Sequence, residues 1–259
     1  MNLGRQQIPV LGVDATPLTA SDLIAVLEGF IAEGTTRMVV GHNLHSVTLT
    51  LSDPAFRRLY EQSDVVLLDG APILWLWGRT RKSEMGASEP APALMEYRLG
   101  STDWIPALGA VSGLKRIAIL GAGRAANDGA VTRLKELVPG AEVAGMPGEG
   151  WSPEIEEAAV SWLKECRPQL VLVGLGMPLQ EMMLQRTWDS LPPAVYCTVG
   201  GAIEQLAGIQ KLAPRWLGRM GLEWAWRLIL HPRRVAYRVF GEPWVLLALL
   251  LRRRLSRQR

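Results

Sequence analysis

Six short apolar runs, at 38–40, 65–68, 117–120, 143–144, 170–173 and 195–198, recur along the chain with amphipathic stretches between them. Runs of this length suit strands, and their unbroken apolar character suits strands covered on both faces. The intervening stretches carry helix signals. Thr19, with Asp22 three residues on, has the form of a capping box ahead of 23–31. Asp53-Pro54 sets an N-cap and an N1 proline before 56–60, and Ser152-Pro153 opens 154–166. The stretch 124–138 stops at Pro139-Gly140. Strand alternating with helix gives an α/β fold with a Rossmann-like, mainly parallel sheet. Two regions break the rhythm. Residues 81–97, rich in Ala, Pro, Ser, Gly and Glu without a period, read as a mobile loop. Beyond Pro214 the strands stop and the pattern becomes helical and basic. The expected organisation is an α/β domain over 1–210 and a C-terminal appendage over 211–259.

Charge separates the same two parts. From Lys211 onward there are twelve Lys/Arg and two acidic residues, against sixteen basic and twenty-three acidic residues before it. An acidic body with a basic tail points to an anionic partner for the tail. The run 244–251 (Trp-Val-Leu-Leu-Ala-Leu-Leu-Leu) leads into Arg252-Arg253-Arg254. It is far short of the ~20 apolar residues that span a bilayer, but it suits the membrane interface, as do Trp216, Trp224, Trp226 and Trp244. A helix packed on the protein's own core is the competing reading. Nucleic-acid binding leaves the acidic body unexplained and is not expected. Cys166 and Cys197 form neither a metal box nor a disulfide framework, and residues 1–17 lack a signal-peptide pattern, so a reduced cytoplasmic setting is expected.

Ligands of open α/β sheets bind at the carboxyl ends of strands. Five such ends are polar or glycine-rich: 41–46, 69–72, 121–124, 174–181 and 198–202. The turns holding Gly121, Gly123, Gly174, Gly176, Gly200 and Gly201 could bring backbone N–H groups to a diphosphate. Asp69 directly follows Val65-Val66-Leu67-Leu68. It reads equally as a general base on an acceptor hydroxyl or as the N-cap of a helix over 71–77. His45 is a weaker candidate base, since a lone histidine there is more often structural. No Asp-x-Asp pair, HExxH or Cys/His cluster is present, so no metal site is expected. Gly121-Ala122-Gly123 lacks the third glycine of a dinucleotide fingerprint, position 126 being Ala126.

The order of these segments resembles the WecG/TagA/CpsF glycosyltransferases over about 39–238. The resemblance is densest in Asn43-Leu44-His45-Ser46, 64–70, 173–181, Gly200-Gly201-Ala202 and the tail pieces 213–216, 221–224, Arg227-Leu228 and Pro232-Arg233-Arg234. It implies inverting transfer of N-acetylmannosamine or a related sugar from a UDP-sugar donor to a polyprenyl-diphosphate-linked acceptor. It also implies no cofactor beyond the donor, no essential metal, and a peripheral place on the inner face of the cell membrane. Carried over residue by residue, Asp69 matches the base and Asn43 lies in the acceptor or donor pocket. Arg98 lies near the diphosphate and Gln180 on the nucleotide-sugar side, while Arg227, Arg233 and Arg234 close over the leaving group. The chain departs from the family pattern at Gly41-His42 (usually Thr-Pro), Leu179 (usually Lys) and Ile203-Glu204 (usually Phe-Asp). The remaining readings are a nucleotide-binding oxidoreductase and a non-catalytic basic-tailed binding module. Homo-oligomer formation stays open.

Overall fold

The computed structural model describes residues 3–85, 94–211, 217, 223–230 and 236–257. Its centre is a six-stranded parallel sheet of β3 (Arg37–His42), β4 (Val65–Leu68), β5 (Arg116–Gly121), β6 (Glu142–Met146), β7 (Leu170–Gly174) and β8 (Val195–Thr198). The spatial order is β4-β3-β8-β7-β5-β6. All six apolar runs are strands. Because side chains alternate across a strand, each run buries one set of residues on each face. Ile117, Ile119, Leu170 and Leu172 face a layer made by α1 (Ala20–Glu33) and α6 (Arg124–Leu137). Ala118, Leu120, Val171 and Val173 face α3 (Pro54–Gln62), α7 (Pro153–Cys166) and α8 (Leu179–Thr187). The capping signals act as read. Thr19 and Asp22 form a capping box on α1, Asp53 caps α3 ahead of Pro54, and Ser152 caps α7 ahead of Pro153.

A two-stranded hairpin, β1 (Gln6–Ile8) with β2 (Val13–Ala15), escaped the sequence reading because each strand has three residues. Its continuation shields the outer edge of β4: Thr16 N donates to Val66 O at 2.7 Å, and Val66 N donates to Thr16 Oγ1 at 3.1 Å. The hairpin, α2 (Leu44–Ser52) and α4 (Ala71–Met85) enclose a third core around Ile8, Val13, Val47, Ile73, Leu74 and Trp77. The expectation of a loop over 81–97 is corrected at both ends, and its middle, 86–93, lies outside the described residues. Helix α4 runs to Met85, and Leu94–Tyr97 forms a 3-10 turn. Trp77 anchors α4 by donating from Nε1 to Gln6 Oε1 at 2.8 Å.

The C-terminal helix Glu242–Arg257 lies on α2. Leu246 is buried in the third core, Glu242 pairs with His45, and Arg253 donates to Gly12 O at 3.3 Å. Leu246 alone buries enough apolar surface for about 1.5–3 kcal/mol. Among the described residues, no helix is long and apolar enough to cross a membrane.

Candidate active site

All six strands of the parallel sheet run the same way, so β3, β4, β5, β7 and β8 present their carboxyl ends along one edge. Loops after β5 lead toward β6 and loops after β7 lead toward β8, which opens a crevice between them. Ala122, Gly123, Gly148, Gly174, Gly176, Gly200 and Gly201 line a cavity of about 230 Å³ there, together with Glu149 and Glu204. Five of the six glycines singled out in the sequence thus meet around one space. The sixth, Gly121, is not on the lining but packs against Gly174 and Gly148, which are. Its φ is +114°, and a Cβ on it would lie 2.6 Å from the Gly174 carbonyl. Only glycine lets β5 and β7 turn this closely side by side.

Glu149 had no signal in the sequence, standing three residues past β6. Its Oε1 accepts from Arg124 N at 2.7 Å, so the first turn of α6 already carries a carboxylate. An anion arriving at that helix end has to share it with Glu149.

Two strands away, the ends of β3 and β4 bring Asn43 and Asp69 together. Asn43 caps α2: its Oδ1 accepts from Ser46 N at 3.1 Å, and its own N donates to Ser46 Oγ at 2.9 Å. That leaves Nδ2 to donate to Asp69 Oδ2 at 3.4 Å. Asp69 is itself fixed by its N donating to His42 O at 3.0 Å. Helix α4 begins at Ala71 and Leu74 N donates to Gly70 O, so Gly70 holds the capping position. The helix-cap reading of Asp69 is thereby displaced. Its carboxylate lies in a slot that Gly100 keeps open, since a Cβ there would sit 2.6 Å from Asp69 Oδ1. The segment carrying Gly100 is held to the end of β4, where Leu99 N donates to Leu68 O at 2.8 Å. Arg98 therefore stands beside the slot, 3.6 Å from Asp103 Oδ2, which accepts from Gly100 N at 2.9 Å.

Asn43 can be split into its two jobs. Asn43→Asp keeps a good N-cap but replaces the donor facing Asp69 with an acceptor-only carboxylate. The expected result is a melting temperature within a few degrees of wild type and turnover lower by about tenfold or more. Asn43→Ala should in addition lose about 1 kcal/mol of stability. Full turnover in Asn43→Asp would make Asn43 a cap and nothing else.

His42 and His45 have other work. His45 Nδ1 pairs with Glu242 of the C-terminal helix. His42 is buried, stacked on Tyr60 at 4.5 Å between ring centroids, with Nδ1 3.1 Å from Ser46 Oγ. Burial, with the Arg5 charge adding to it, pushes His42 down to about 3, so it is neutral. Gln180 is buried too. Its Oε1 accepts from Gly200 N at 3.1 Å, and its Nε2 donates to Glu181 Oε1 at 2.7 Å. Arg233, Arg234 and the side chain of Arg227 lie outside the described residues. Among the described residues no three His, Cys, Asp or Glu side chains gather as metal ligands.

The chain is similar to known proteins over most of its length. An N-acetylglucosaminyldiphosphoundecaprenol N-acetyl-beta-D-mannosaminyltransferase of Bacillus subtilis is 32% identical over 120 residues, 46% of this chain and 46% of its own length. The chain thus spans about half the length of that relative in the match. A protein of the same name from Staphylococcus aureus is 24% identical over 231 residues, 88% of this chain and 87% of its own. Residues 8–259 match the model of the glycosyl transferase WecG/TagA/CpsF family, and the chain belongs to that family.

Proposed function

We propose that the protein transfers N-acetylmannosamine or a closely related sugar from a UDP-sugar to the hydroxyl of a polyprenyl-diphosphate-linked sugar, with inversion. The observation that carries the reading is the Asp69 carboxylate, seated between Asn43 and Gly100 on the same sheet edge as the glycine cleft. In a single displacement Asp69 takes the acceptor hydroxyl proton as its oxygen bonds to the anomeric carbon. The bond from that carbon to UDP breaks, and UDP departs with the electron pair. Charge growing on the departing diphosphate calls for cationic or N–H donors. Arg98 and the cleft amides are at hand, and Arg227, Arg233 and Arg234 are the family-like arginines of the tail.

The acceptor's lipid sets the location. Trp244, Leu247, Leu251 and Leu255 are exposed on the C-terminal helix, with exposed Arg252 and Arg254 beside them. We read this face as the contact with the inner membrane surface. Titration calorimetry without added divalent metal is expected to show UDP binding to the cleft, and Gly121→Ala should abolish it by pushing β5 off β7. Absence of heat with UDP and with every UDP-sugar tried, with or without metal, would sink the nucleotide assignment.

A further inference from the structure

The β7–β8 ladder ends where Val199 N donates to Val173 O at 2.8 Å. The next amide, Gly200 N–H, has passed the end of β7 and turns toward α8, where the Gln180 side chain receives it. A primary amide has two different ends, and a hydroxyl, water or backbone group near its nitrogen could turn it either way. Here Gly200 N–H, which can only donate, takes the oxygen, and a single acceptor among the described residues holds the nitrogen end. Glu181 Oε1 accepts from Gln180 Nε2, which leaves Gln180 Oε1 facing Gly200. We propose that Glu181 is a positioning residue for the glycine cleft: it holds the Gln180 amide in the one orientation that captures Gly200 N–H, and so fixes the β8 wall where Gly200 and Gly201 meet the ligand.

Two observations single out Glu181 from an ordinary buried carboxylate. It is 1% exposed, and its second oxygen, Oε2, is buried with no hydrogen-bond partner among the described residues. Such a group is costly, and its presence in the core calls for a role that offsets the cost. Among the described residues, the charged groups around it give no ion pair. Asp53 and Arg186 line the same cavity of about 190 Å³ between α3 and α8, but Arg186 is turned onto Glu156 at 2.6 Å. Tyr60 of α3 faces Glu181 but donates its hydroxyl to Gly41 O at 3.0 Å, and His42 behind it is neutral. Burial pushes the Glu181 carboxyl up to about 7, the hydrogen bond from Gln180 and, to a lesser degree, Glu181's own backbone N–H opposing the rise. A protonated carboxyl still offers Oε1 as an acceptor, so a hydrogen bond and not a charge is what Gln180 requires.

The test compares Glu181→Gln, which keeps an acceptor in that place, with Glu181→Met, which fills the volume without one. Amide hydrogen exchange at Gly200 is the first readout. Protection is expected to fall about tenfold or more in Glu181→Met and to stay within about twofold in Glu181→Gln. UDP affinity should follow the same order, a readout that rests on the nucleotide reading above. Should wild type bind no UDP, that reading fails, while exchange at Gly200 still decides the role of Glu181. Unchanged exchange in Glu181→Met, or equal loss in both variants, would overturn the proposal. If Glu181→Met does not fold, Glu181→Ala removes the same acceptor and is judged by the same exchange criterion. Stability against pH supplies a control on the protonation state. A carboxyl raised from 4.5 to about 7 keeps in the fold a proton that the unfolded chain has lost, so wild-type stability falls as pH rises through that window. The melting temperature of Glu181→Gln relative to wild type should therefore increase from about pH 5 to about pH 8. A constant difference would mean that the side chain is charged in the fold and is held for another reason.

Discussion

Asp69→Asn is expected to lower turnover by about 10²–10⁴-fold while leaving the fold intact, measured as UDP release in the presence of a lipid-diphosphate-linked acceptor. The range follows from removing a positioned general base. The expectation of an intact fold follows from the geometry. Asparagine has the shape of aspartate, so it fits the slot that Gly100 leaves open, and the backbone bond from residue 69 to His42 O is untouched. Because Gly70 occupies the capping position of α4, the substitution removes no N-cap. Nucleotide binding should persist, since the glycine cleft lies on β5, β7 and β8 and not on β4. A rate near wild type would reduce Asp69 to a packing residue. His45 could not then inherit the role without breaking its pairing with Glu242, which makes Glu204, on the lining of the cleft, the residue to change next.

How far the sequence could lead to this site depends on the distance over which each signal acts. The strands were readable because a parallel strand buried on both faces needs an unbroken apolar run, and six such runs stand in the chain. Caps at Thr19, Asp53 and Ser152 were readable because a cap works within three residues of itself. The glycine cleft was foreseeable in kind, since turns after parallel strands fall on one edge. Asn43 shows where local reading stops. Its cap on α2 spans three residues, but its second function depends on Asp69, twenty-six residues on, just past the end of the neighbouring strand. Glu149 and Glu181 are harder still. One reaches back from β6 to α6, and the other acts through Gln180 on a glycine twenty residues past it. Neither spacing repeats or alternates, so only the strand order brings those atoms together. The tail is a further case. Its basic, tryptophan-rich composition reads as an appendage, and composition carries no sign that Leu246 completes a core shared with the N-terminal hairpin.

That packing changes how membrane docking has to be tested. Removing everything after residue 240 would strip Leu246 from the third core and Glu242 from His45, so truncation would confound docking with stability. The outward face can be changed alone. Residues 240, 244, 247, 251 and 255 follow one another at helical spacing, and Phe240, Trp244, Leu247, Leu251 and Leu255 are all exposed, Trp244 at 71%. Residues 242, 246 and 253 point the other way, into the protein. Transferring one such apolar side chain out of water contributes about 1.5–3 kcal/mol when complete. Changing Trp244, Leu247 and Leu251 together to glutamate is therefore expected to weaken binding to vesicles containing anionic phospholipid by at least about a hundredfold. The melting temperature should hardly move, because none of the three side chains is buried. Arg252→Gln with Arg254→Gln should cost less, about 1 kcal/mol for each charge, and that loss should shrink as salt is raised. Turnover on a short-chain, water-soluble acceptor should survive the triple change, whereas turnover on a long-chain acceptor in vesicles should fall with binding. Vesicle binding equal to wild type in the glutamate variant would remove this face from the membrane. A wild-type dimer by sedimentation that the variant turns into a monomer would then assign the face to a second copy of the chain.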